Sequence, residues 1–73
     1  MKFAIYIQGY NEDYDIIDYG EEVAVFTEQK VAEWFISNYE FSIPQSIPHA
    51  NAVIEELNDN NEFVDIVAEY DIK

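Results

Sequence analysis

The chain has 73 residues, sixteen acidic and three basic, for a net charge of −13, with no cysteine and no arginine. So few cations cannot neutralise phosphates, which all but excludes direct nucleic-acid binding and adsorption to anionic lipid, and the lack of thiols excludes a disulfide framework, a thiolate metal site and a cysteine nucleophile. A chain this short makes one domain, residues 1–73, that buries only about 60% of its unfolded surface, yet its 49% hydrophobic and 16% aromatic content is too rich for a disordered acidic tail.

Lys2 to Tyr10 alternates, with Phe3, Ile5 and Ile7 on one face and Ala4, Tyr6 and Gln8 on the other, which predicts a first strand. Asn11, Glu12 and Asp13 are turn formers, and Tyr14 to Tyr19 returns as a second strand. Gly20 followed by Glu21 fits a two-residue hairpin turn, so Glu22 to Phe26 is expected as a third. Thr27 is placed as the N-cap of a helix from Glu28 to about Tyr39. Val31, Trp34, Phe35 and Asn38 share one side of it, Ala32, Ile36 and Tyr39 widen the apolar face, and Trp34 and Phe35 are expected in the core.

After a connector containing Pro44, Ser46 and Pro48 open a predicted second helix with Ala50, Val53, Ile54 and Leu57 as its apolar stripe, ending at the Asn58 to Asn61 turn. From Glu62 the alternation resumes and predicts a long terminal strand beside the first. The expected fold class is α+β: a small antiparallel or mixed sheet of three to four strands with two helices packed on one face, in the order β-β-β-α-α-β.

Function is sought first in the stretch from Tyr10 to Glu22, where Glu12, Asp13, Asp15, Asp18, Glu21 and Glu22 are interleaved with Tyr14, Ile16, Ile17 and Tyr19 and no basic residue intervenes. Such a segment offers charge and aromatic contact area together, and tyrosine is enriched among the residues that dominate interface energetics. Alternate residues on a strand lie roughly 7 Å apart, so Glu69 and Asp71, like Asp13 and Asp15, are spaced about as neighbouring phosphates are. The candidate partner-binding set is Glu12, Asp13, Tyr14, Asp15, Asp18, Tyr19, Glu21, Glu22, Glu69 and Asp71. Glu40, and Glu55, Glu56 and Asp59, fall near the expected helix ends, where the macrodipole disfavours each anion by roughly 0.3–1 kcal/mol. Placement against local stability points either to selection for a partner or to a composition bias of the genome.

Catalysis has little to stand on. His49 is the only histidine, and although Ser46 is near it, no third member or oxyanion hole is indicated, so His49 reads as a surface or helix-end residue and the chain as no enzyme. Asn11 to Asp15 and Asn58 to Glu62 are rich in oxygen ligands but do not follow the calcium-loop pattern; turn chemistry accounts for both, and no metal or other cofactor is expected. The apolar runs are short and broken by charge, which makes a cytoplasmic location the expectation.

In size, acidity, lack of cysteine and strand-helix pattern, the whole chain resembles the small phage-encoded inhibitors of bacterial defence, the anti-CRISPR and anti-restriction proteins that act as DNA mimics. The resemblance carries over no individual residue. It implies a protein of the host cytoplasm that occupies the basic nucleic-acid channel of a nuclease, CRISPR effector, repair enzyme or polymerase; a monomer or homodimer is expected. An immunity protein or antitoxin neutralising a basic toxin would use the same physics. A structural or assembly protein would instead join its own copies through an exposed sheet edge.

Overall fold

The computed structural model runs β1 (Lys2–Tyr10), β2 (Ile16–Phe26), α1 (Gln29–Asn38), β3 (His49–Leu57) and β4 (Phe63–Asp71). It describes residues 1–73, Asp18 and Tyr19 by their place in β2 alone. The four strands form one sheet in the order β2-β1-β3-β4, with every neighbouring pair antiparallel. Because β2 and β3 are both antiparallel to β1, they run parallel to each other, and such strands need a crossover rather than a hairpin. The segment carrying α1 supplies it, and the sheet curls into a half-barrel.

Both hairpins are closed by the same device. In the β1–β2 turn, Asn11 Oδ1 accepts from the backbone N–H of Asp13 at 2.8 Å and of Asp15 at 3.0 Å, and Tyr14 N–H donates to Asn11 O. In the β3–β4 turn, Asn58 Oδ1 accepts from Asn60 N–H at 2.9 Å and Glu62 N–H at 3.0 Å, and Asn61 N–H donates to Asn58 O. Asparagine side chains commonly build turns this way. Each loop places its fourth residue in the left-handed region, Tyr14 at φ 63° and Asn61 at φ 62°.

The core lies between the sheet and α1. Ile5 sits opposite Ala24 on β2 and Ile54 on β3, and Phe3, Ala52, Ala32 and Ile36 complete the buried cluster. Ile5 and Ile54 are fully buried, which at roughly 1.5–3 kcal/mol per large aliphatic side chain makes them leading contributors to so small a core. Ala32 and Ile36, one turn apart, are the buried helix residues, and the small Ala32 lets the helix approach the strands. At the end of α1 the rings of Phe26, Phe35, Tyr39 and Phe41 pack in series, with successive centroids 5.4, 4.7 and 4.9 Å apart.

Several expectations are corrected. The fold is mostly β with one short helix, not α+β with two helices on a sheet. The predicted second helix is β3: Ala50, Ala52 and Ile54 face α1 while Asn51 and Val53 face the other way, all five buried. A central strand buried on both faces loses its two-residue period and cannot be told from a helix by pattern. Consequently Glu55 and Glu56 lie on a strand and Asp59 in a hairpin, and the macrodipole argument does not apply to them. The terminal strand pairs with β3, not β1. Trp34 is 63% exposed rather than core, since it lies about 200° round the helix from Ala32. The N-cap is Glu28 rather than Thr27, without a side-chain capping bond.

No turn occurs at Gly20, which lies within the continuous strand β2. Its role is clearance: a Cβ there would run into Tyr6 Oη and approach Tyr6 Cε1 and Cζ to 2.8 Å. The Tyr6 ring thus lies across β2 in the space that the missing side chain leaves. Alanine in place of a strand glycine would otherwise gain about 0.5–1 kcal/mol of backbone entropy. Gly20→Ala is therefore expected to destabilise the protein by about 1 kcal/mol alone and to become neutral or stabilising in a Tyr6→Ala background, read from urea midpoints as a double-mutant cycle.

Candidate functional site

A single helix covers a single face of the sheet, and the chemistry gathers on the other. Alternate residues of a strand point to opposite faces, so the residues between those of the core cluster line the uncovered side. There Gln8, Asn51 and Asp71 lie in one row across β1, β3 and β4, followed by Tyr6, Val53 and Glu69 in the next, while Tyr10 pairs with His49 at the strand ends. A cavity of about 500 Å³ opens at this end of the sheet, lined by Tyr10, Tyr14, His49, Ala50, Asn51, Glu69, Asp71 and Lys73. Its volume falls in the roughly 300–1,000 Å³ range of small-molecule pockets.

Asn51 is the most unusual member. It is 5% exposed, Nδ2 donates to Glu69 Oε1 at 2.5 Å, and Oδ1 is buried with no hydrogen-bond partner. A buried acceptor left unpaired costs about 1–3 kcal/mol. The amide cannot improve matters by turning over, because that would set its oxygen against a carboxylate. The site therefore holds an acceptor in need of a donor.

Tyr14 is the second unusual member. A bulky residue in the left-handed region costs roughly 1–2 kcal/mol, and Asn61 shows what the equivalent position of the other hairpin uses instead. The conformation lays the Tyr14 ring against His49, with centroids 4.1 Å apart and planes within 15°, while Tyr14 remains 67% exposed. Backbone strain of this kind is concentrated at functional sites. Lys73, the cation at the rim, is tethered elsewhere, with Nζ donating to Pro44 O at 2.9 Å.

The candidate residues read from the sequence are divided among three places. Tyr14, Glu69 and Asp71 come together at the cavity. Glu12, Asp13 and Asp15 are exposed on the adjoining turn. Glu21 and Glu22 line a separate hollow of about 270 Å³ with Tyr39 and Phe41, near the end of α1. Asp18 and Tyr19 lie outside the described side chains. Sequence reasoning passed over Asn51, assigned to a helix, and set His49 aside for want of catalytic partners; recognising β3 as a strand would have put His49, Asn51 and Val53 on one face.

Electrostatically, the acidic groups among the described residues are almost without cationic partners. Among the described residues the one ion pair joins the N-terminal ammonium to Asp59 Oδ1 at 2.8 Å, and that hydrogen bond, reinforced by the ammonium charge, holds the Asp59 carboxyl below its ordinary range. Its contribution to folding is present at neutral pH and lost as pH falls through the lowered value. Lys2 Nζ bonds Asn61 Oδ1, an uncharged partner. Among the described residues no three histidine, aspartate or glutamate side chains converge as metal ligands, and no helix is long and apolar enough to cross a membrane. No family model, curated protein or solved structure matches the chain.

Two outcomes follow from this geometry. Raising sodium chloride from near zero to about 0.15 M should raise the melting temperature, because carboxylate repulsion is screened within a Debye length; a steady fall would mean that attractive pairs dominate. In a His49→Ala background, where the ring stack is already gone, Tyr14→Gly should stabilise the fold by about 1 kcal/mol in urea titrations. No gain there would show that Tyr14 is unstrained.

Proposed function

We propose that the protein is a small acidic binding protein that inhibits a nucleic-acid-binding protein, such as a CRISPR effector or nuclease, by occupying its basic surface as a nucleic-acid mimic. The observation that carries this reading is the unpaired state of the charge. A net charge of −13 with one ion pair among the described residues is a charge directed outward. The uncovered sheet face adds what a bare polyanion lacks, since Tyr14 stands beside Glu69 and Asp71 at the cavity. Charge accelerates encounter with a basic partner, and a buried aromatic ring slows its departure.

The experiment is capture of the partner from host lysate, then displacement of labelled DNA from it by the purified protein. Displacement by this protein but not by a scrambled acidic peptide of equal charge supports the mimic, and equal displacement by both would sink it. Tyr14→Ala should weaken binding by about 2 kcal/mol, mainly through faster dissociation. Neutralising Glu12, Asp13 and Asp15 to their amides should instead slow association and flatten its salt dependence.

One observation favours a second reading, assembly with its own copies. β4 is an edge strand, and Phe63, Val64 and Ile66 are exposed on it. Such an edge is a template for pairing with another chain. Sedimentation at high salt decides this reading: a dimer that persists there and is lost in Ile66→Lys supports it, and a monomer at all concentrations removes it.

A further inference from the structure

We propose that the cavity between Tyr14 and Glu69 is a receptor for an arginine side chain, presented by the basic partner that the reading above assigns to this protein. The inference rests on that reading for the source of the arginine and on the cavity alone for its chemistry.

Three features select a guanidinium. Glu69 and Asp71 are two residues apart on the same face of β4, so their carboxylates flank one side of the cavity. A guanidinium presents five N–H donors in one plane and can serve two carboxylates at once, which an ammonium on a flexible stem does less well. The exposed Tyr14 ring, held in place by His49 behind it, supplies a flat aromatic surface of the kind on which guanidinium groups stack. Its strained backbone is then explained, because an asparagine in that position would close the turn as Asn61 does but offer no ring.

Asn51 provides the third feature. Its amide is locked by the bond from Nδ2 to Glu69, which leaves Oδ1 without a donor. Glu69 keeps Oε1 on Asn51 Nδ2 and has its second oxygen left for a guanidinium, so the amide stays locked while Oδ1 accepts a further N–H. The unpaired acceptor in the free protein becomes a paired one in the complex. The chain contains no arginine, and Lys73 Nζ is bonded to Pro44 O.

The test is an NMR titration of the full chain with N-acetyl-arginine amide and, separately, N-acetyl-lysine amide. The arginine compound should shift the Asn51 side-chain NH₂ and the Tyr14 ring resonances and bind about tenfold tighter than the lysine compound. Glu69→Gln and Tyr14→Gly, both at exposed positions, should each weaken it about fivefold or more. Asn51→Leu should remove the preference for arginine, and Glu33→Gln, on α1, should change nothing. Equal affinity for the two compounds, or shifts confined to the Glu12 to Asp15 turn, overturns the proposal. The arms also part it from the wider reading. If poly-arginine and poly-lysine bind equally well and the cavity resonances stay still, the acidic surface stands and the arginine receptor falls. If the arginine compound seats in the cavity but the protein fails to displace DNA from its captured partner, the receptor stands and the mimic falls.

Discussion

The contact between Ile5 and Ile54, closed from above by Ala32 and Ile36, is the constraint on which the rest of the structure depends. It joins the two central strands and fixes the place of α1. The ten-residue helix covers one face of the sheet, and on the other face the central positions Ala4, Asn51 and Val53 are buried without it. Everything on the other face must therefore be satisfied by neighbouring side chains, and that is where an unpaired amide oxygen, a strained tyrosine and two adjacent carboxylates are found.

Charge and packing pull in opposite directions in this molecule. Carboxylates lie on both edge strands, where they discourage unwanted strand pairing, yet they repel one another with almost no internal cations to offset them. The same opposition recurs within a single loop. Tyr14 and Asn61 occupy equivalent positions in two hairpins of one design, and only the hairpin beside the cavity carries the costly residue. Natural proteins depart from local stability where something else is gained.

How far the sequence could be read depended on how each element is buried. β1 was legible because its alternation survives intact from Lys2 to Tyr10, and α1 because a run without glycine or proline follows a polar start. β3 was not, since Ala50 to Ile54 is apolar on one side and sheltered on the other, which erases the period. Gly20 misled for a related reason: glycine signals a turn and a close approach equally, and only the neighbouring Tyr6 ring distinguishes them. Of the site, Tyr14 was marked by side-chain chemistry and Glu69 and Asp71 by charge and strand spacing, whereas His49 and Asn51 acquire meaning only from a register that pairs them with Tyr10 and Gln8.

The self-closing asparagine turns have a consequence for how the chain reaches this structure. Each hairpin carries its own turn bonds and pairs strands adjacent in sequence, so each can assemble locally on the microsecond scale of hairpin formation. The ladder between β1 and β3 is different, for it joins residues as distant as Lys2 and Leu57 across the whole helical crossover. Loop closure must precede any gain from that ladder. The ladder in which Ile5 meets Ile54 is thus the pairing that costs the most loop-closure entropy.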